Sequence, residues 1–266
     1  MFNLSKGFLT EMKEGLHRLW SSDVMTRMPR HDITRICQGN GHLSIHGLKL
    51  DLGAGGPCPK SLLDSLTPEE RKQVDGLERS WKTKQYCFGR TLAKRSVIDV
   101  CTQIGVPVKS DAVSIVDDER GAPQCRVQTA REAPVVSVSL THKGNTLLAV
   151  ASMSERVGID LEDLSEARSG TARWTTVDPD GRLKNAVRNT VEQLSGYTDP
   201  GQVATVMWCV KEAAYKALSR GRPLSPLHIV LESAGSNIVA RIGSTDSLKT
   251  NVIIGCVDQY VCALAI

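Results

Sequence analysis

The sequence predicts an α+β protein. Helical pattern runs through Trp81 to Ile104 and again through Trp208 to Lys216, with no proline in either stretch. Short apolar segments bounded by turn residues follow each of them. The last of these, His228 to Glu232, Asn237 to Ile242, Asn251 to Val257 and Tyr260 to Ala265, read as an antiparallel meander.

Taken in order, Phe8, Leu9, Met12, Leu16, Leu19 and Trp20 recur at helical spacing across Gly7 to Trp20. Lys13, Glu14, His17 and Arg18 form the wet side of this amphipathic helix. So sparse a basic face points to core packing or an oligomer contact rather than to a membrane surface. Ser21 to Gly41 has no clear period. His42 to Asp51 alternates apolar and polar residues, the pattern of a half-buried strand. His42 and His46 have no third metal partner in view and read as two solvent-facing strand residues. Gly53 to Pro59 is a loop. Thr67 is placed as an N-cap, with Pro68 at the first helical position and Glu70 closing a capping box.

The long helix from Trp81 carries Lys82, Lys84, Arg90, Lys94 and Arg95. These form either a solvated basic face or a set of phosphate ligands, arginine offering a bidentate fork and lysine a point charge. Ala112 to Val116 reads as a strand, Asp117 to Pro123 as a turn. Val135 to Leu140 and Thr146 to Ala151 are two further strands, with Thr141-His142-Lys143 between them. A short connection leads to Val157 to Glu162. Asp163 to Thr205 is interrupted by Gly170, Asp178-Pro179-Asp180-Gly181 and Asp199-Pro200-Gly201, with helical pattern returning over Leu183 to Leu194.

Composition excludes several classes. With 41% hydrophobic and 23% charged residues the chain is of ordinary globular type. A net charge of +4 suits an anionic ligand or an acidic protein partner but is too small to argue for nucleic acid. Aromatics are only 4%, so base-stacking platforms are scarce. The eight cysteines form no CxxC pair and several sit in apolar runs, which points to free thiols in a reducing cytoplasm. No apolar run reaches the roughly 18 residues of a membrane span, and no signal-peptide pattern is visible at the N-terminus.

The chemistry lies in two stretches. On a strand, Asp160 and Glu162 point to one face and Leu161 to the other. Two like charges on one face belong either to a solvated edge or to a cation site. Glu212 and Lys216, four apart on a helix, share a face and can be an ordinary surface ion pair. Glu212 can equally complete an all-oxygen set with Asp160 and Glu162, suited to a hard cation such as Mg²⁺.

Together, Gly158-Ile159-Asp160-Leu161-Glu162 followed by Trp208-Cys209-Val210-Lys211-Glu212-Ala213-Ala214-Tyr215-Lys216 resembles the signature pair of the 4′-phosphopantetheinyl transferase superfamily, surfactin type. The resemblance covers residues 42–266. It implies two similar α+β halves in pseudo-twofold arrangement, 42–155 and 156–266, behind an N-terminal extension at 1–41. It also implies coenzyme A as co-substrate, Mg²⁺ on Asp160, Glu162 and Glu212, and Glu212 and Lys216 as catalytic residues. Gly89-Arg90-Thr91-Leu92-Ala93-Lys94-Arg95 resembles the family's coenzyme-binding helix, and Thr141-His142 its Ser-His pair. Arg90, Lys94, Arg95, Thr141, His142, Lys211 and Lys216 are therefore the expected coenzyme contacts. The family's turn lysine is absent at Gly121-Ala122-Pro123, where Arg120 is the nearest cation. The implied partner is an acyl or peptidyl carrier domain, with no nucleic acid and no membrane, and the implied state a cytoplasmic monomer. The competing reading is a transferase-like docking module of a larger synthase that has lost activity.

Overall fold

The computed structural model describes residues 6–21, 34–39, 43–50, 58–75, 77, 80–129, 132–167, 177–178, 185–219, 224–243 and 248–266. The chain divides into two units, Met1–Glu155 and Arg156–Ile266, and both mix helices with antiparallel sheet.

In the first unit, α1 (Lys6–Ser21) packs on β1 (Thr34–Gly39) and β2 (Leu43–Lys49) and buries Met12 and Leu16. Three helices follow, α2 (Lys60–Asp64), α3 (Pro68–Asp75) and α4 (Ser80–Gln103). Then come β3 (Val113–Asp117), β4 (Pro123–Val127), β5 (Ser137–Lys143) and β6 (Thr146–Ser152). The main sheet has the order β1-β2-β6-β5, and β3-β4 is a separate hairpin. The stretch read as an extension thus supplies an edge strand, β1. Its register shifts between Arg35 and Cys37, which breaks the alternation a sequence pattern needs.

The capping box at α3 is present. Thr67 N–H donates to Glu70 Oε2 at 2.8 Å, and Glu70 N–H to Thr67 Oγ1 at 3.4 Å. Strand β2 is buried almost throughout, because it is an inner strand with α4 across it. His46 is therefore not solvent-facing: its Nε2 lies 2.9 Å from Asp99 Oδ2 on α4, and Ser44 Oγ donates to the same oxygen at 3.2 Å. His42 lies outside the described residues.

The second unit runs β7 (Gly158–Asp163), α5 (Asn185–Ser195), α6 (Pro200–Leu218), β8 (Ile229–Ala234), β9 (Asn237–Ile242), β10 (Lys249–Val257) and β11 (Tyr260–Ala265). Its sheet order is β7-β11-β10-β9-β8. The residues read as a break at Asp199-Pro200-Gly201 are in fact the start of α6. Asp199 caps it by accepting from Gln202 N–H at 3.0 Å, and Pro200 takes the first turn, where its missing N–H costs nothing. Val203, Val206, Met207, Val210, Ala213 and Ala217 then bury one side of the helix in the core over the sheet.

In each unit one strand (β2, β7) precedes a long helix (α4, α6) and then four strands, the last of which (β6, β11) pairs with that strand. Their registers can be matched through the final strand. Thr146 opens β6 and Tyr260 opens β11; three residues on, Ala149 faces His46 and Ala263 faces Asp160. By the same matching, Ser44 corresponds to Gly158 and Leu48 to Glu162. The first unit thus holds a half-buried histidine–aspartate pair where the second holds an acidic strand face, with Leu48 at the place of Glu162.

Candidate active site

The site begins with a missing side chain. Gly158, Asp160 and Glu162 alternate along β7 and so share one face, the face against which α6 packs. A Cβ on Gly158 would fall on the carbonyl oxygen of Ala213 and 2.7 Å from Ala217 N. Only glycine lets the helix backbone lie this close to the strand. The close approach sets Lys216 over the neighbouring residues of β7. Its ammonium donates to Asp160 Oδ1 at 2.6 Å and to the Ile159 carbonyl at 3.1 Å.

Asp160 and Glu162 are buried, and Glu212 is half-buried on the same helix face as Lys216. Burial, first, and then the charge of Asp160 push the Glu212 carboxyl above its ordinary range. Lys216 opposes the shift and Glu162 adds to it. The three carboxylates are therefore close enough to feel one another. Such mutually repelling oxygens fit a hard divalent cation in donor type. Among the described residues, however, no three His, Cys, Asp or Glu groups stand gathered in ligating geometry. The Lys216 ammonium pairs with Asp160, across to the strand and not simply along its helix with Glu212.

The expected coenzyme contacts fare differently. Lys211 is buried, with Nζ 2.7 Å from the Val177 carbonyl. Burial holds its pKa below the usual lysine value, and Asp178 partly offsets this. Its ammonium thus ties the chain at Val177 to α6 and does not reach towards solvent. Lys94 is also no surface cation: it is 2% exposed, pairs with fully buried Glu70 at 2.7 Å, and donates to Ser65 O at 3.0 Å. Glu70 also accepts from Ile115 N–H, so this pair joins α3, α4 and β3.

Arg90 is buried too. Its guanidinium reaches Asp117 Oδ2 at 2.5 Å and lies over the Tyr86 ring, 4.2 Å from its centroid. Gln73 completes this cluster, accepting from Tyr86 Oη at 2.7 Å and donating to Asp117 O at 3.0 Å. Arg95 is exposed on α4. Thr141 and His142 lie within β5, which runs on to Lys143. Thr141 is buried and His142 exposed. At the β3-β4 turn, Asp118 Oδ1 accepts from Arg120 N–H and Ala122 N–H, both at 2.9 Å. Backbone bonds led by that of Ala122 hold the Asp118 carboxyl below its ordinary range, and they shape the turn without help from the side chain at 122.

The cysteines described, seven of the eight, are free thiols. Among the described residues no helix is long and apolar enough to cross a membrane. Sequence reasoning missed Gly158 as the residue that seats the helix. Its signal was present, a glycine at one end of an apolar strand that meets a helix carrying Ala213 and Ala217 at i, i+4.

Residues 156–265 match the model of the ACPS family, the 4′-phosphopantetheinyl transferase superfamily. The match spans the second unit and all four residues of the site. A solved holo-(acyl-carrier-protein) synthase from Bacillus anthracis str. Ames, in complex with CoA (3′,5′-ADP), is 21% identical over 41% of this chain and 92% of that chain. The TM-score is 0.31. Comparison with curated proteins gave no match.

Proposed function

We propose that this chain is a 4′-phosphopantetheinyl transferase of the surfactin type. It moves the 4′-phosphopantetheine arm of coenzyme A to a serine hydroxyl of an acyl or peptidyl carrier domain, for polyketide, nonribosomal peptide or fatty-acid assembly. The observation that carries this reading is the Lys216–Asp160 ion pair joining α6 to β7, with Glu162 and Glu212 on the same two elements, inside the segment that matches the family.

The serine oxygen forms a bond to the phosphorus that bears the pantetheine arm. The bond from that phosphorus to the bridging oxygen breaks, and adenosine 3′,5′-bisphosphate leaves. Glu212 accepts the serine proton, a task its raised pKa favours. Lys216 stabilises charge on the leaving phosphate. Mg²⁺ held by Asp160, Glu162 and Glu212 would supply Lewis-acid neutralisation of the diphosphate. Phosphoryl transfer rests mainly on such positioning and charge.

Arg95, Thr141 and His142 remain the proposed contacts for the coenzyme phosphates. Lys94, Lys211 and Arg90 are assigned to holding their own elements in place. The protein acts as a cytoplasmic monomer in this reading. Ala122, in place of the family lysine, favours the rival, an inactive docking module. Release of adenosine 3′,5′-bisphosphate separates the two. It should need both coenzyme A and an apo carrier, and no release with any carrier tried would favour the module.

A further inference from the structure

The two elements that carry the site run antiparallel. Ala213 and Ala217 of α6 meet Gly158, and Lys216 reaches Asp160. Earlier on the helix, Cys209 Sγ lies 3.5 Å from the carbonyl of Val261, the residue paired with Glu162. The start of α6 therefore extends past Glu162, where it packs on the turn at Leu164–Glu166. Gly158 sets the spacing of helix and strand at one end by backbone contact. Beyond Glu162, at the other end, side chains set it. Asp163 closes β7 and is held through both carboxylate oxygens. Its Oδ1 accepts from Ser165 N–H at 2.8 Å and from Ser165 Oγ at 2.6 Å, and its Oδ2 accepts from Gln259 Nε2 at 3.2 Å. The Gln259 carbonyl also accepts from Leu164 N–H at 2.6 Å, one rung past the Asp163–Tyr260 pair.

Gln259 lies with Asp258 in the tight turn between Val257 and Tyr260. Asp258 has φ 51°, the one positive value at a non-glycine among the described residues. A side chain makes that conformation costly, and it persists where neighbouring contacts hold it. One such contact is Tyr197, whose Oη donates to the Asp258 carbonyl at 2.7 Å. Tyr197 stands in the link between α5 and α6, just before the Asp199 cap. The link that starts the helix thus grips the turn that grips the end of the strand. Building on the reading of this site as a transferase active site, we propose that Tyr197, Gln259 and Asp163 form a clamp that positions Glu162 against Glu212. They are positioning residues, acting through the two glutamates and not on coenzyme A. Gly158 governs the Asp160–Lys216 end of the seat, and the clamp governs the Glu162–Glu212 end. Loosening the clamp moves the carboxylates at the reacting serine. It leaves Arg95, Thr141 and His142, the proposed phosphate contacts of the first unit, as they were. The loss therefore falls on kcat and not on the KM for coenzyme A.

The test exchanges the two ends of one clamp bond. Gln259→Glu sets a carboxylate against that of Asp163. Adding Asp163→Asn gives it an amide donor to accept from and keeps Oδ1 as the acceptor for Ser165. Transfer from coenzyme A to an apo carrier is measured for the parent and both variants, together with amide hydrogen exchange over residues 158–166, which needs no turnover. Gln259→Glu should lower kcat about fivefold or more, hold the KM for coenzyme A within about twofold, and speed exchange at Leu164. The double variant should restore kcat and exchange to within about twofold of the parent. Circular dichroism checks the fold. If Gln259→Glu does not fold, Tyr197→Phe, which removes a single oxygen, takes its place, with the same split between kcat and KM expected. Parent-like kcat, or a loss that the double variant does not rescue, overturns the clamp and leaves the transferase reading standing. A parent protein that transfers to no carrier overturns that reading and the clamp's catalytic role together.

Discussion

Replacing Gly158 by alanine adds one methyl group at the tightest point of the second unit. That methyl would sit on Ala213 O and 2.7 Å from Ala217 N, where ordinary contact begins near 3.4 Å. The backbone of α6 must therefore retreat by at least 3.4 − 2.7 = 0.7 Å at Ala217, and further at Ala213. No side-chain rotation relieves the contact, because the obstructing atoms are main chain. The retreat lifts Lys216 off β7, stretching its 3.1 Å bond to Ile159 O beyond hydrogen-bond range. Overpacking of this kind costs about 1–3 kcal/mol, read as a lower urea midpoint with an unchanged slope. Displacement of reacting groups by about 1 Å can cost roughly 100-fold in rate. Steady-state transfer from coenzyme A to an apo carrier should show that loss mainly in kcat. A variant with the parent's kcat and urea midpoint would refute the argument that close backbone approach builds the site.

Three other outcomes follow from individual side chains. Lys94→Met leaves the fully buried Glu70 carboxylate with backbone donors but no cation, and should cost about 3–5 kcal/mol in urea unfolding; an unchanged midpoint would contradict the buried pair. Lys211→Met should lower the melting temperature while the KM for coenzyme A stays within about twofold of the parent value. A large rise in KM at constant melting temperature would return Lys211 to the coenzyme. Glu212 has a folded pKa above its unfolded one, so its contribution to stability is full at low pH and is lost as pH rises through the folded pKa. Glu212→Gln should therefore raise the melting temperature at neutral pH, with the gain fading as pH falls below the ordinary glutamate range; a gain that persists in acid would refute this origin.

What the sequence reveals is local. The capping box at Thr67 and Glu70 is readable because its two bonds span three residues, whereas the bond from Glu70 to Ile115 spans forty-five and leaves no pattern. The acidic pair of β7 and the Glu212–Lys216 spacing are readable for the same reason, as periods of two and four. Their union is not: Lys216 reaches Asp160 across 56 residues of chain. Charge pattern also cannot tell a solvated lysine from one whose stem crosses the core, so Lys94 reads as a phosphate ligand, and Lys211 is expected as one by resemblance, although each pairs inside its own unit. His46 fails in the opposite sense. Alternation along β2 suggests one wet face, but an inner strand covered by α4 has none to offer. Asp199 and Pro200 carry the opposite lesson, since the residues that interrupt one element are those that begin a helix.

The most direct measurement is the mass of a carrier. Apo acyl and peptidyl carrier domains are incubated with coenzyme A, Mg²⁺ and this protein, then weighed intact. The account predicts that at least one carrier gains a single phosphopantetheine group on serine, and that Glu212→Gln and Asp160→Asn, both still folded, leave it unmodified. Transfer at the parent rate by either variant would contradict the site, and carriers left unchanged by the parent protein would contradict the function.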